Sequence, residues 1–242
     1  MNEKPLVMCL TNCVAAEFTA NVLLAIGAKP AMVEEPSEAA ELAAVADAVL
    51  INLGTVHPRQ AEAMRMAIRG VGAVPWVLDP VGCQMLTYRG RLAAEFIAHH
   101  PTMIRGNQAE IDFLLKNVPE TGTVPILSTG EVDRLYIPDS RLSTQLSPSS
   151  CPTSAQLPTN SRLTEISGGV PMLQSVTATG CVQGAVCAAL LGRGQSPLAA
   201  AENASRMMKR AGEIAWERTK APGSFKTALI DALYEISEPA LL

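Results

Sequence analysis

Short apolar runs alternate with longer stretches of helical periodicity through the first half of the chain. Residues 6–10, 31–33 and 48–51 read as strands, and the segments 17–26 and 37–44 between them read as helices. The cycle continues with helices predicted over 58–69, 89–98 and 108–116, leading into short apolar runs at 76–78, 102–104 and 125–127. Strands separated by helices of this length need crossover connections. The pattern therefore predicts an α/β fold with a mainly parallel central sheet and helices on both faces. After residue 170 the pattern is helical, with an apolar segment over 186–191, a long helix over 198–218 and a last helix over 224–236. The Met207-Met208 pair on the long helix reads as core packing. Between the patterned regions, residues 138–169 are crowded with Ser, Thr and Pro and carry no period, which predicts a long polar loop within a single domain spanning 1–242.

In a parallel α/β sheet, ligands bind beyond the carboxyl ends of the strands. The residues there are Thr11 and Asn12; Asn52, Leu53, Gly54 and Thr55; Asp79, Pro80, Val81 and Gly82; Arg105, Gly106 and Asn107; and Thr129, Gly130 and Glu131. Each set alone has an ordinary turn composition. All of them on one predicted edge imply a shared pocket.

The run Thr177-Ala178-Thr179-Gly180-Cys181-Val182 leads a glycine-containing turn directly into the apolar segment 186–191. The first turn of a helix has free N–H groups with the positive end of the helix dipole behind them. This layout predicts an anion cradle for a phosphate or a developing phosphoryl charge. Cys181 then sits where a thiol is acidified, or where a substrate hydroxyl lies next to it. A tight turn before a buried helix is the plainer alternative.

Asp79, Asn107 and Glu110 are hard oxygen donors near the same edge, of the type that holds Mg2+ with its waters and bridges it to phosphates. Arg105 offers a fork of N–H donors for phosphate oxygens. A solvated helix face for Glu110 and a surface ion pair for Arg105 are the ordinary alternatives. Met32 either lines an apolar substrate pocket or fills core.

Composition narrows the partners. The 242-residue chain is 48% hydrophobic and 17% charged, enough apolar material for one large core. A net charge of −4 argues against nucleic acid and anionic membrane as partners, since both need basic surface. The N-terminal apolar run is too short for a signal-peptide core or a membrane span, which points to the cytoplasm. The six cysteines, dispersed through an aliphatic chain, read as reduced and mostly buried thiols. Cys9 and Cys13 are close in sequence, but His57, His99 and His100 are far from them, so a metal–thiolate site is not expected.

The runs Pro5-Leu6-Val7 to Thr11-Asn12, Phe18-Thr19-Ala20-Asn21 with Leu23-Leu24-Ala25-Ile26-Gly27-Ala28, Asn52-Leu53-Gly54-Thr55, Leu78-Asp79-Pro80-Val81 and Ile104-Arg105-Gly106-Asn107 stand in a distinctive order. Thr129-Gly130-Glu131-Val132-Asp133, Thr179-Gly180-Cys181 and Pro222-Gly223-Ser224-Phe225 continue it. Over most of residues 5–134 and 170–236 the chain resembles the hydroxyethylthiazole kinases.

The resemblance implies a ribokinase-like fold and ATP-dependent phosphorylation of the primary hydroxyl of 4-methyl-5-(2-hydroxyethyl)thiazole, a salvage step towards thiamine. It also implies a homotrimer with active sites between subunits. Asn12, Val14, Met32, Gly54, Thr55 and Ala178 would surround the thiazole alcohol. Arg105, Thr129, Thr179 and Gly180 would contact ATP, and Asp79, Asn107 and Glu110 would organise Mg2+ and phosphates. Cys181 would stand where related sugar kinases carry an aspartate base, and would serve catalysis through positioning and charge stabilisation more than through proton abstraction.

Three departures accompany the matches. Ala178 stands where the family usually has glycine, and its methyl group is strained if the backbone there is left-handed. Only 21 residues separate Asn107 from Thr129, a short connection for the family, and 138–169 replaces a compact strand pair near the nucleotide. They motivate an alternative, a catalytically impaired member that binds thiazole or a partner but not ATP productively. A third possibility, a dehydratase on the same fold, requires aspartate in the cradle turn and is disfavoured by Cys181.

Overall fold

Every residue of strands β3 (Ala48–Asn52) and β4 (Trp76–Asp79) is buried, as parallel strands covered on both faces require. The computed structural model describes residues 4–138 and 161–237. The other strands are β1 (Leu6–Leu10), β2 (Lys29–Met32), β5 (Met103–Asn107), β6 (Ile126–Thr129), β7 (Asp133–Pro138) and β8 (Ser161–Ile166). They form a single sheet in the order β2-β1-β3-β4-β5-β6-β7-β8. The pairs through β6 are parallel, and β7 and β8 each run antiparallel to the strand before.

The two-residue period of the strands feeds two cores. Val7, Cys9, Ala48 and Leu50 pack with α1 (Ala16–Ala25), α7 (Thr179–Gly192), α8 (Pro197–Arg218) and α9 (Pro222–Ser237). Met8, Leu10, Val49 and Ile51 pack with α2 (Pro36–Val45), α3 (Pro58–Gly70), α4 (Thr87–Ile97) and α5 (Gln108–Asn117) on the other face. A single helical turn, α6 (Met172–Ser175), precedes α7. Pro36, Pro58 and Pro197 open their helices, where the missing N–H costs nothing. Among the described residues no helix is long and apolar enough to cross a membrane.

Two expectations are corrected. The segment 138–169 is not loop throughout: Ser161–Ile166 is a strand, and it pairs with β7 from Asp133↔Ile166 to Pro138↔Ser161. The strand pair expected to be replaced is therefore present, while 139–160 lies outside the described residues. The short 107–129 connection also suffices. A 3-10 turn (Pro119–Thr123) with fully buried Thr121 follows α5, and β6 then pairs in parallel register, Asn107 opposite Thr129.

Candidate active site at the carboxyl ends of the strands

A line of polar side chains crosses the strand ends in the order of the sheet. Asn12, just after β1, donates through Nδ2 to Asn52 Oδ1 at the end of β3 (2.9 Å), and Asn52 Nδ2 donates to Asp79 Oδ2 at the end of β4 (2.7 Å). The same Asp79 oxygen faces Arg105 of β5 at 3.6 Å, and Arg105 donates to Thr129 Oγ1 at the end of β6 (2.6 Å). Parallel register makes this possible, because it sets Asn52 opposite Asp79. Glycine makes the first step possible. A Cβ at Gly54 would lie 2.7 Å from Asn12 Nδ2, and Gly54 N donates to Asn52 Oδ1 at 2.9 Å. Thr55 follows with φ 47°, a left-handed backbone that threonine adopts only under constraint, and its hydroxyl lies 3.6 Å from Cys13 Sγ.

The turn leads into α7 as the sequence suggests, and its geometry leaves room for the expected anion cradle. Ala178 is the N-cap of α7 and offers no side-chain acceptor, whereas Asn107, His57 and Ser196 cap their helices with side chains. Val182 N donates to Ala178 O at 2.9 Å, so the N–H groups of Thr179, Gly180 and Cys181 precede the first helical hydrogen bond. The Thr179 hydroxyl donates to Leu173 O (2.7 Å) and Val176 O (3.2 Å), which pins the turn. The Arg105 guanidinium lies over Gly180, where a Cβ would be 2.7 Å and 2.8 Å from its two terminal nitrogens. Cys181 Sγ accepts from Asn12 Nδ2 at 3.4 Å and so joins the cradle to the polar line. Ala178 has φ 71° and ψ 3°, the left-handed conformation in which its methyl group is strained.

Beside the cradle is a cavity of about 620 Å³. It brings together Arg105, Asn107, Glu110, Thr129, Ala178, Thr179, Gly180 and Cys181. Asp79 is wholly buried beside Arg105, and Asn12 reaches the cavity wall through Cys181. Val14, Met32 and Thr55 do not line the cavity. They are exposed, Val14 at 57% and Met32 at 40%, so Met32 is not core. Five polar wall residues, Gln108, Asp133, Gln174, Gln183 and Lys209, were not expected from the sequence, and Met208 serves both wall and core. Asn52 was visible as a strand-end residue, but nothing local marked it as the middle of the line.

The electrostatics overturn one expectation. Burial pushes the Cys181 thiol up from its usual range and the Asp79 charge adds to this, against the weaker pull of Arg105 and the asparagines, so the thiol is not acidified. Burial likewise raises Asp79 to about 7, with Arg105 opposing and Glu110 repulsion adding to the rise. Asp79 Oδ1 and Arg105 Nε are buried without a partner. Asn107 and Glu110 form a capping box on α5: Asn107 Oδ1 accepts from Glu110 N (3.0 Å) and Glu110 Oε2 from Asn107 N (2.8 Å). The other Glu110 oxygen accepts from Gly82 N at 2.8 Å. Among the described residues no three His, Cys, Asp or Glu side chains gather in one group.

Comparison with known proteins gives the family and the fold. The hydroxyethylthiazole kinase family pattern matches residues 1–141 and 154–239. A hydroxyethylthiazole kinase from Shigella boydii is 38% identical over 98% of this chain and 91% of its own. The structure of a hydroxyethylthiazole kinase protein from Pyrococcus horikoshii superposes with a TM-score of 0.82 at 32% identity, covering 97% of this chain and 89% of that one. A ribokinase-like superfamily protein from Enterococcus faecalis shares the fold, with a TM-score of 0.62 at 11% identity over 95% of this chain and 86% of that one. With the family pattern spanning most of its length, the chain belongs to the hydroxyethylthiazole kinase family.

Proposed function

We propose that the protein transfers a phosphoryl group from ATP to the primary hydroxyl of 4-methyl-5-(2-hydroxyethyl)thiazole, in thiamine salvage. One observation carries this reading: the uncapped first turn of α7, the Arg105 guanidinium and the polar line of strand ends meet at one cavity. The phosphates of ATP bind Arg105, Thr129 and the N–H groups of Thr179 and Gly180. There the helix dipole and amide hydrogens stabilise charge on the migrating group. The thiazole lies among Asn12, Val14, Met32, Gly54, Thr55 and Ala178, with its hydroxyl toward Cys181. Held as a neutral thiol, Cys181 orients that hydroxyl and does not deprotonate it.

The donor set fits a divalent cation. Asp79 has a buried oxygen without a partner, and its charge and that of Glu110 repel, a strain that a cation relieves. Asp79, Glu110 and Asn107 would hold Mg2+, which when bound neutralises phosphate charge. Val14 and Met32, exposed on the thiazole side, support a homotrimer in which a partner subunit covers that rim. The cytoplasm is the compartment this reading assigns.

The test is incubation with the thiazole alcohol, ATP and magnesium, with the phosphate ester measured by mass spectrometry. Absence of the ester at every magnesium concentration would overturn the reading. Calorimetric binding of thiazole without nucleotide would then identify the impaired alternative.

A further inference from the structure

Lys209, on α8, is a buried cation that the reading above leaves without a role. It is 7% exposed, its ammonium donates to Glu131 O and Gly168 O, each at 3.1 Å, and it faces Asp133 Oδ1 at 3.5 Å. Three acceptors match the three donors of an ammonium, which makes its burial tolerable. One turn along the same helix, Glu213 Oε1 accepts from Gly169 N at 3.0 Å. The carbonyl of Gly168 and the N–H of Gly169 belong to one peptide unit. Two side chains four residues apart therefore grip both ends of a single peptide plane. Both glycines are left-handed, at φ 106° and 82°, and a Cβ at Gly169 would lie 3.1 Å from Lys209 Cγ.

Asp133 extends this grip to the cradle helix. Its Oδ1 accepts from Gly130 N (3.0 Å), and its Oδ2 accepts from Gln183 Nε2 (3.1 Å) and Ser205 Oγ (2.6 Å). Gln183 lies on α7 just past Cys181. One carboxylate thus ties the β6–β7 turn to α7 and α8, and Lys209 adds the segment after β8. Gly130, Asp133, Gln183 and Lys209 all line the cavity. Gly130 and Asp133 belong to the β6–β8 side of Arg105 and Gln183 and Lys209 join it through Asp133, whereas Asn12 and Gly54 belong to the β1–β3 side.

We infer that Lys209 is a positioning residue for the nucleotide. With Asp133 and Glu213 it fixes the β6–β7 turn and the Gly168–Gly169 segment, which back the Gly130 and Asp133 wall, relative to the first turn of α7. A nucleotide anchored at the cradle by its phosphates then meets a preformed surface, and less ordering is left to binding. The inference rests on the kinase reading and deepens it.

Steady-state kinetics of the full-length K209M, K209R and E213A variants, with ATP and thiazole alcohol varied in turn, test it. K209M should raise KM for ATP about tenfold while kcat and KM for thiazole stay within about twofold. K209R, which keeps charge and donors, should recover most of that loss. E213A removes the second grip, together with an exposed ion pair to Arg210 at 3.5 Å, and leaves Lys209 in place; it should raise KM for ATP about threefold in a normally folded protein. If K209M does not fold, E213A decides. An unshifted KM for ATP, or an equal rise in KM for thiazole, overturns the inference. Wild-type protein without turnover overturns the kinase reading instead, and calorimetric ATP affinity of the same variants still judges the clamp.

Discussion

Asn52 and Asp79 are both wholly buried and are joined by a 2.7 Å hydrogen bond in which the amide donates to the carboxylate. The same asparagine accepts from Asn12, so it holds two strand ends to a third. Asn52→Leu keeps the branched outline but removes these two bonds and the one from Gly54 N, leaving the buried carboxylate, the Asn12 amide and the Gly54 N–H short of partners. A loss of about 2 kcal/mol in urea unfolding is expected, together with a lower kcat/KM for thiazole. Unchanged stability would mean that the line is not under load.

Ala178→Gly should stabilise the fold. A non-glycine residue at φ 71° costs about 1–2 kcal/mol, part of which is offset by the greater freedom of glycine in the unfolded chain. A net gain of about 1 kcal/mol in denaturant unfolding is expected, with turnover retained because the N–H groups of α7 stay in place. A destabilised variant would show that the methyl packing outweighs the strain.

Local signals explain which parts of this were legible in the sequence. The helix predicted over 58–69 ends one residue short of α3 because a single amphipathic face and an opening proline mark it. The helix signal at 186–191 missed the first two turns of α7, where Gly180 and Gly184 look like turn residues. Both are glycine for contact reasons, Gly180 against Arg105 and Gly184 with a Cβ position 3.3 Å from Leu50. β8 was missed because its polar composition resembles that of the loop before it, and only pairing with β7 makes it a strand. The strand-end motifs were legible because the parallel sheet fixes where strands end. Asp133 and Lys209 were not, because their meeting depends on how α8 packs against β7.

Cys181 should behave as a neutral thiol. Burial holds its pKa above the usual cysteine range, so the native thiol keeps its proton where an unfolded one has lost it. Alkylation by iodoacetamide, resolved by peptide mass spectrometry, should be slow at Cys181 around neutral pH and faster at exposed Cys13. Cys181→Ala should retain measurable turnover, since the cradle N–H groups survive. The sign carries to stability. Cys9 and Cys187 are pushed to about 12 by burial, so their contribution is complete below the ordinary thiol pKa and is lost as pH rises toward 12. A flat denaturation midpoint across that alkaline window would contradict their burial.

Glu110→Gln separates the two duties of this carboxylate. Its oxygens accept from Gly82 N and Asn107 N, and glutamine keeps one acceptor while setting an NH2 group against the other N–H. That mismatch should cost about 1–3 kcal/mol of stability. Losing the charge also removes a repulsion on Asp79, whose carboxyl should fall below about 7 while burial still holds it above its usual range. With one anionic donor gone, the magnesium concentration for half-maximal turnover should rise several-fold, and kcat should recover at high magnesium. Lost stability with unchanged metal dependence would leave Glu110 as a helix cap alone and would move the cation toward Asp79.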